Sequence, residues 1–155
     1  MGIIKASAGD FEFVKSITQD TINGIYPKYY PSGAVKFFLQ HHSDENIRDD
    51  IENGRTFLYV DDERNRIGTV SIKENDIGRL FVLPEYQGQG YGGELLAFAE
   101  DIISRTYDEI ILDSSLAAKS IYLNKGYREI AFNKVKTDNG DYLCWDIMSK
   151  KVKGK

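Results

Sequence analysis

The chain has 155 residues and a mass of 17.6 kDa, which corresponds to one ordinary domain. A net charge of −4 argues against the basic surface that binds DNA or RNA, so we expect no nucleic acid partner. The single cysteine, Cys144, cannot form an internal disulfide or a thiolate cluster. Two adjacent histidines are too few for most metal sites, so no metal is predicted.

No stretch approaches the ~18 apolar residues of a membrane span, and the first residues lack the features of a secretory signal. These absences favour a cytoplasmic protein without membrane contact. The sequence has no repeat, linker or low-complexity tract, so it predicts a single domain over residues 1–150. Residues 151–155 form a predicted basic tail.

Hydrophobic spacing and turn residues predict a mixed α/β chain with an antiparallel middle and an antiparallel C-terminal hairpin. The predicted elements are, in chain order, a strand at 2–5, a helix at about 11–26 capped by Asp10, a helical segment at 34–41, a helix at about 44–52 opened by Ser43, strands at 56–60, 67–72 and 77–83, a helix at 94–106, a strand at 109–112, a helix at 116–125, and strands at 127–136 and 142–148.

The most informative stretch is the loop that follows the predicted strand 77–83. It holds four glycines within residues 88–93 and leads into the strongest helix of the chain. Glycines allow a ligand to approach the backbone closely, and the free N–H groups and positive dipole end of a helix N-terminus favour phosphate. The loop therefore predicts a phosphate or pyrophosphate site.

Three phosphate-binding patterns can be compared with this loop. The P-loop pattern is absent, because Glu94 stands where a lysine is required. The dinucleotide pattern G-x-G-x-x-G matches residues 88–93, and Asp113 follows about 20 residues later, as that pattern expects. However, residues 83–87 separate the strand from the first glycine, and the short C-terminal part ends in a hairpin instead of further parallel units. The third pattern is Q-x-x-G-x-G at residues 87–92.

The third pattern resembles motif A of the GNAT superfamily of N-acetyltransferases, which wraps the pyrophosphate of coenzyme A. The likeness extends over V-x-P-x-Y-Q-G-Q-G-Y-G-x-x-L-L at residues 82–96. Residues 115–127, S-L-A-A-K-S-I-Y-L-N-K-G-Y, resemble motif B, with Ser115 in place of the usual asparagine. The resemblance covers about residues 3–149. It implies a single GNAT-like domain with a mixed, mostly antiparallel central sheet of about six or seven strands, about four flanking helices, and strands splayed at an acetyl-CoA cleft.

The resemblance implies acetyl-CoA as the co-substrate, held between the strands predicted at 77–83 and 109–112. The pantetheine arm of acetyl-CoA would pair with the backbone of Leu80 and Val82 like an added strand, and the N–H near Val82 would polarise the thioester carbonyl. The residues implied to bind acetyl-CoA are Leu80, Phe81, Val82, Gln87, Gly88, Gln89, Gly90, Tyr91, Gly92, Gly93 and Ser115.

The implied reaction is direct transfer of the acetyl group to a primary amine of a small molecule or peptide. Tyr122 matches the motif B tyrosine by its spacing within that motif, which assigns it as the general acid for the CoA thiolate. Asp76, eleven places before Gln87, matches a family carboxylate that acts as general base. The stretch around Asp76 is also typical of a turn, so Glu74 or a relayed water remains open as the base.

The residues that bind the acceptor are the least specified. The acidic stretch at 44–52 and an aromatic cluster are candidates, although such residues more often form a solvated helix face and a core. The aromatic residues are Tyr26, Tyr29, Tyr30, Phe37 and Phe38. A homodimer remains open, with strand 142–148 as the candidate pairing edge. The alternative functions are a non-catalytic acyl-CoA sensor or interaction module with the same fold and, from the dinucleotide pattern, a nicotinamide oxidoreductase.

Overall fold

Seven strands form one open sheet and five α-helices cover its faces in the computed structural model, which describes residues 2–152. The strands are β1 Gly2–Lys5, β2 Thr56–Val60, β3 Arg66–Lys73, β4 Asp76–Val82, β5 Glu109–Ser114, β6 Arg128–Lys136 and β7 Tyr142–Lys151. The helices are α1 Phe11–Ile25, α2 Ser32–His41, α3 Asp44–Glu52, α4 Tyr91–Ser104 and α5 Lys119–Asn124. Within residues 2–152, no helix is long and apolar enough to cross a membrane.

The strand order in the sheet is β1-β2-β3-β4-β5-β7-β6, and β4 with β5 is the parallel pair. The other neighbouring pairs are antiparallel. The parallel pair is joined only where Asp76 meets Ile111 and Ile77 meets Leu112, and beyond these positions the two strands diverge. The predicted fold class, a mixed and mostly antiparallel sheet with splayed strands, is confirmed.

Two hydrophobic cores lie on opposite faces of the sheet. One contains buried residues of α1, α2 and α3, such as Val14 and Ile47. The other contains the apolar stripe of α4, including the fully buried Leu95. Strand alternation divides the side chains of β4 between the two cores, with Phe81 in the first and Val82 in the second. Because β4 serves both faces, the gap beside it opens to both layers of helices.

Several predicted boundaries shift where tertiary contacts decide them. α4 begins at Tyr91, three residues before the predicted start, because Gly90 takes the N-cap position with φ of 93°. β5 runs on to Ser114, since it pairs with β7 along its whole length. α5 is shorter than the predicted 116–125 helix, and the turn before it is held by the N–H of Leu116, which donates to the Tyr30 hydroxyl at 2.7 Å.

Two further expectations are corrected. The Asp10 side chain makes no cap bond to α1, because it accepts from the N–H and hydroxyl of Ser7 at 2.9 and 3.1 Å, one turn earlier. The strand predicted as a pairing edge is interior, since β7 lies between β5 and β6, and β6 is the outer strand. β7 continues through Lys151, the first residue of the predicted tail, and residues 153–155 lie outside the described part of the chain.

β4 contains a bulge that redirects one charged side chain. The register with β3 shifts after Thr69, so that two residues of β4 oppose one of β3. Arg79 lies in this bulge with φ of 44°, a left-handed conformation that is uncommon for a residue with a side chain. Its buried guanidinium donates to Asp50 of α3 at 2.6 Å and to His42, which follows α2, at 3.3 Å. The bulge therefore ties β4 to the first layer of helices.

Candidate functional site

A cavity of about 570 Å³ lies where β4 and β5 diverge, and its size is typical of small-molecule and cofactor sites. Its walls come from both helix layers, both diverging strands, the glycine loop and β7. The part that we call the loop side is lined by Gln87, Gly88, Gly90, Tyr91, Gly92, Gly93 and Lys125. The part that we call the aromatic side is lined by Tyr26, Phe37, Phe38, Phe81 and Trp145.

The glycine loop exposes unpaired backbone donors to the loop side. Gly88 and Gly90 have φ of 78° and 93°, which glycine adopts without the strain that a Cβ would bring. The N–H of Glu94 makes the first helical bond, to the Gly90 carbonyl at 3.1 Å. The N–H groups of Tyr91, Gly92 and Gly93 precede it and have no acceptor within α4. Together with the helix dipole, they favour an anion at this end of the cavity.

Lys125, directly after α5, adds a positive charge to the loop side. Its Nζ lies 3.8 Å from the position that a Cβ on Gly93 would take, so the ammonium stands beside the start of α4. Sequence reasoning did not single out this lysine, because α4 and α5 are brought together only by the fold. The loop side thus combines a helix N-terminus with a side-chain cation, an arrangement suited to a phosphate or pyrophosphate.

The end of β4 presents a backbone donor to the gap. The N–H of Leu83 donates to Ile67 of β3 at 2.9 Å, so the backbone of the preceding residue, Val82, points to the opposite edge, where β5 has moved away. The Val82 carbonyl accepts from the Gln87 side chain at 2.9 Å and from Thr21 at 3.3 Å. Gln87 therefore holds the loop against the strand, and the Val82 N–H is left facing the cavity.

Two tyrosines from opposite faces of the sheet meet at the gap. Tyr122 of α5 belongs to the core under α4, whereas Tyr26, after α1, belongs to the other core. Burial raises the pKa of Tyr122 well above its ordinary value, and the nearby Tyr26 raises it further. Burial also raises the pKa of Tyr26, against a lowering effect of its hydrogen bond with Ser115. Both hydroxyls are therefore protonated at neutral pH.

Two carboxylates stand at the aromatic side, one on each diverging strand. Asp76 begins β4 and Asp113 is the fifth residue of β5. Partial burial raises the pKa of Asp76 to about 6, the nearby Asp113 adds to the rise, and Lys73 opposes it. Burial also raises the pKa of Asp113, while His41 and a hydrogen bond from the Trp145 ring lower it. Asp76 is thus an ionised carboxylate at neutral pH that can still accept a proton.

The structure brings the sequence-predicted residues together with few exceptions. The cavity is lined by Leu80, Phe81, Val82, Gln87, Gly88, Gly90, Tyr91, Gly92, Gly93, Ser115, Asp76 and Tyr122. Gln89 is exposed and does not line it. The alternative base Glu74 lies in the β3–β4 turn with φ of 57°, outside the cavity.

The predicted aromatic cluster divides between two roles. Tyr26, Phe37 and Phe38 line the cavity, whereas Tyr29 is half exposed and Tyr30 is buried outside the lining. The acidic stretch at 44–52 stays away from this cavity, although Asp50 reaches it indirectly through Arg79. No local pattern predicts that Asp113 lies near Asp76, because the two belong to strands that pair at only two positions.

Comparisons with known proteins agree with this architecture. The sequence matches the profile of the Acetyltransferase (GNAT) domain over residues 25–144, more than half of the chain. A comparison with curated sequences found no match.

Three solved structures illustrate the structural likeness. A GCN5-related N-acetyltransferase (Aminotransferase, Class-II) from Rhodopseudomonas palustris has a TM-score of 0.88 at 19% identity, covering 97% of this chain and 94% of that chain. PaiA N-acetyltransferase from Thermoplasma acidophilum, in complex with coenzyme A, has a TM-score of 0.71 at 23% identity, covering 96% of this chain and 97% of that chain. A phosphinothricin acetyltransferase from Sinorhizobium meliloti, in complex with acetyl-CoA, has a TM-score of 0.70 at 17% identity, covering 97% of this chain and 88% of that chain. These likenesses support the fold, and the profile match over most of the chain shows that the protein belongs to the GNAT acetyltransferase family.

Proposed function

We propose that this protein is an acetyl-CoA-dependent N-acetyltransferase that transfers the acetyl group directly to a primary amine. The observation that carries the proposal is one cavity, at the gap between β4 and β5, that joins the glycine loop, Tyr122 and Asp76. Two similar solved structures are named as complexes with coenzyme A or acetyl-CoA, which supports the choice of co-substrate.

The loop side fits the anionic part of acetyl-CoA. The free N–H groups at the start of α4 and the Lys125 ammonium would hold the pyrophosphate, since both favour negative charge. The Val82 N–H would donate a hydrogen bond to the thioester oxygen, on which negative charge grows as the amine attacks. An added side chain at Gly90 would strain its left-handed conformation, which is consistent with a loop shaped for close approach of a ligand.

Asp76 and Tyr122 supply the two proton transfers that the reaction needs. An alkylammonium with a pKa of about 10.4 must lose its proton before it can attack, and Asp76 accepts that proton. A C–N bond then forms at the thioester carbon and the C–S bond breaks. Tyr122 donates its proton to the departing sulfur. The nitrogen loses its second proton to water as the amide forms, and Asp76 releases and Tyr122 regains a proton by exchange with water. The raised pKa of Tyr122 keeps the hydroxyl protonated at neutral pH, as an acid requires.

The test of this proposal separates chemistry from binding. Tyr122→Phe should lower kcat by about a hundredfold or more, within the range of general acid catalysis, and leave the Kd for acetyl-CoA within about twofold. Tyr107→Phe is the matched control, because this tyrosine is exposed and lies outside the cavity. An unchanged kcat in Tyr122→Phe would remove Tyr122 from the acid role.

Calorimetry with acetyl-CoA, and with NADH as a control titrant, separates the proposal from its alternatives. Binding of acetyl-CoA together with thiol release in the presence of an amine supports the transferase. Binding without thiol release across a broad amine panel would favour the acyl-CoA sensor. Binding of NADH instead would favour the dinucleotide interpretation of the glycine loop.

A further inference from the structure

The aromatic side of the cavity presents rings whose positions are fixed before any ligand binds. Phe38 meets Tyr26 edge to face at 4.7 Å and Tyr30 at 5.1 Å between ring centroids. Phe81 packs on the same cluster, 6.3 Å from Tyr26. Phe37 lines the cavity while 37% of its surface is exposed to solvent, so an apolar ligand would cover it. This wall favours a flat apolar group, since aromatic pairs are stabilised beyond the area they bury.

The charge on this side is negative. Asp76 and Asp113 both line it, whereas the only arginine in the lining, Arg79, is already bound to Asp50 at 2.6 Å. Burial, with Arg79 nearby, lowers the pKa of His42 to about 3, so that imidazole is uncharged at neutral pH. The aromatic side therefore combines apolar rings with two carboxylates whose charge the neighbouring arginine does not neutralise.

Two further basic residues lie near these carboxylates, and one of them, His41, lines the cavity. Lys73, which is exposed and lies outside this cavity, lowers the pKa of Asp76, and His41 lowers the pKa of Asp113. A second cavity of about 330 Å³ adjoins the first at Asp76 and is lined by three aspartates and three cationic side chains. Two of these aspartates are bound to Arg55 at 3.2 and 3.3 Å. Arg55 and Arg79 thus offset the charges of Asp49 and Asp50, so this cavity offers no separate anionic site for a second ammonium group.

Resting on the proposed transferase function, we propose that the acceptor is an arylalkylamine: a primary amine on a short chain, attached to an aromatic ring and free of acidic groups. The ring lies against Phe37, Phe38 and Trp145. The ammonium lies between the carboxylates of Asp76 and Asp113, one of which receives its proton.

This arrangement discriminates against other amines by simple physical costs. An amino acid would bring its own carboxylate close to Asp76 and Asp113, and like charges placed together are unfavourable. A polyamine would bring further ammonium groups to this side, and the rings would offer them only cation–π contact, which offsets a small part of the cost of removing a charge from water. A plain alkylamine would satisfy the carboxylates but lose the ring contacts.

The experiment compares four acceptors at neutral pH, namely phenethylamine, hexylamine, phenylalanine and spermidine. We expect kcat/KM for phenethylamine to exceed that for hexylamine by about tenfold. The kcat/KM for phenethylamine should exceed that for phenylalanine or spermidine by about a hundredfold, because of like-charge repulsion in the first case and unpaired charge in the second. Calorimetric titration of phenethylamine and of phenylalanine into the protein with saturating CoA measures affinity independently of turnover. Phenethylamine should bind more tightly than phenylalanine.

Two variants test the residues that set this preference. Phe37→Leu, at an exposed position where the fold is not at risk, should reduce the phenethylamine-to-hexylamine ratio about fivefold or more. Asp113→Asn should weaken phenethylamine binding and narrow the discrimination against phenylalanine. Faster turnover of spermidine, hexylamine or phenylalanine than of phenethylamine would overturn this inference while the transferase stands. Acetyl-CoA binding without turnover of any amine, but with tight phenethylamine binding, would refute the transferase and retain the arylalkylamine site.

Discussion

The ionisation of Asp76 should set the acid limb of the pH–rate profile. As the proposed general base, this carboxylate acts only when it is deprotonated, so activity falls as pH drops through its pKa. Burial and the Asp113 charge raise that pKa to about 6, and Lys73 opposes the rise. The limb should therefore lie well above the pH at which an ordinary aspartate is protonated.

The expected size follows from the fraction of ionised carboxyl. With a pKa of about 6, Asp76 is about 90% ionised at pH 7 and about 10% ionised at pH 5, so kcat/KM should fall about tenfold. An aspartate with a pKa of about 3.9 would lose less than about 10% over the same range. Asp113→Asn removes the like charge that disfavours ionisation of Asp76, so the limb should move to lower pH.

The assay is the release of free CoA thiol across this pH range under conditions that give kcat/KM. Glu74→Gln is the matched control, because it removes a carboxylate two residues away and outside the cavity, and its profile should equal that of the unmodified protein. Asp76→Asn should lose most activity at pH 7. A ratio near one between pH 7 and pH 5, or an unchanged limb in Asp76→Asn, would refute the assignment of Asp76 as the base.

The same ionisation has a consequence for stability with a definite sign. Because the pKa of Asp76 is higher in the folded protein than in the unfolded chain, the folded state binds more protons between about pH 4 and pH 6, and stability falls as pH rises through this window. Asp76→Asn should therefore raise Tm at pH 7 and leave it nearly unchanged at about pH 3, below both pKa values, where the carboxyl is largely protonated in both states. Thermal unfolding at the two pH values checks this.

Three further substitutions test the site and its support. Lys125→Ala should weaken acetyl-CoA binding about tenfold in low salt and less in high salt, because salt screens the attraction between the ammonium and the phosphates. Calorimetry at the two salt concentrations measures the two dissociation constants. Gly90→Ala should weaken acetyl-CoA binding about five- to thirtyfold, since the free loop would relax away from the left-handed φ and binding would have to restore it at a cost of about 1–2 kcal/mol. Asp50→Asn should lower the free energy of unfolding in urea by about 3 kcal/mol, because it leaves the Arg79 charge buried and unpaired.

Matched controls exist for each of these changes. Lys28→Ala removes an exposed lysine outside the cavity and should leave acetyl-CoA binding unchanged. Gly9→Ala adds a Cβ where no atom lies within 4 Å and φ is not positive, so binding should be retained. Asp101→Asn breaks an exposed pair with Arg105, which is worth less than about 1 kcal/mol. Equal effects in a variant and its control would contradict the role assigned to that residue.

Local patterns in the sequence determined much of the fold and one half of the candidate site. The glycine loop and the helix after it predict an anion site from consecutive residues, because a helix N-terminus carries its donors and dipole wherever the fold places it. The motif spacing likewise placed Tyr122, Asp76 and Val82 at one cleft, and these three residues line one cavity. Strands and helices with a clear apolar period also appear at their predicted positions.

Tertiary structure alone decided the rest. Asp113 stands near Asp76 because β4 and β5 pair at two positions and then diverge, a relation between residues 37 places apart that no local pattern encodes. Lys125 reaches the start of α4, and Arg79 reaches Asp50, through packing of separate elements. The sequence by itself therefore determined the fold family and predicted the anion site at the glycine loop. The charge of the aromatic side, and the division of the predicted aromatic cluster into residues that line the cavity and residues that do not, were decided only by the folded chain, because they depend on long-range contacts.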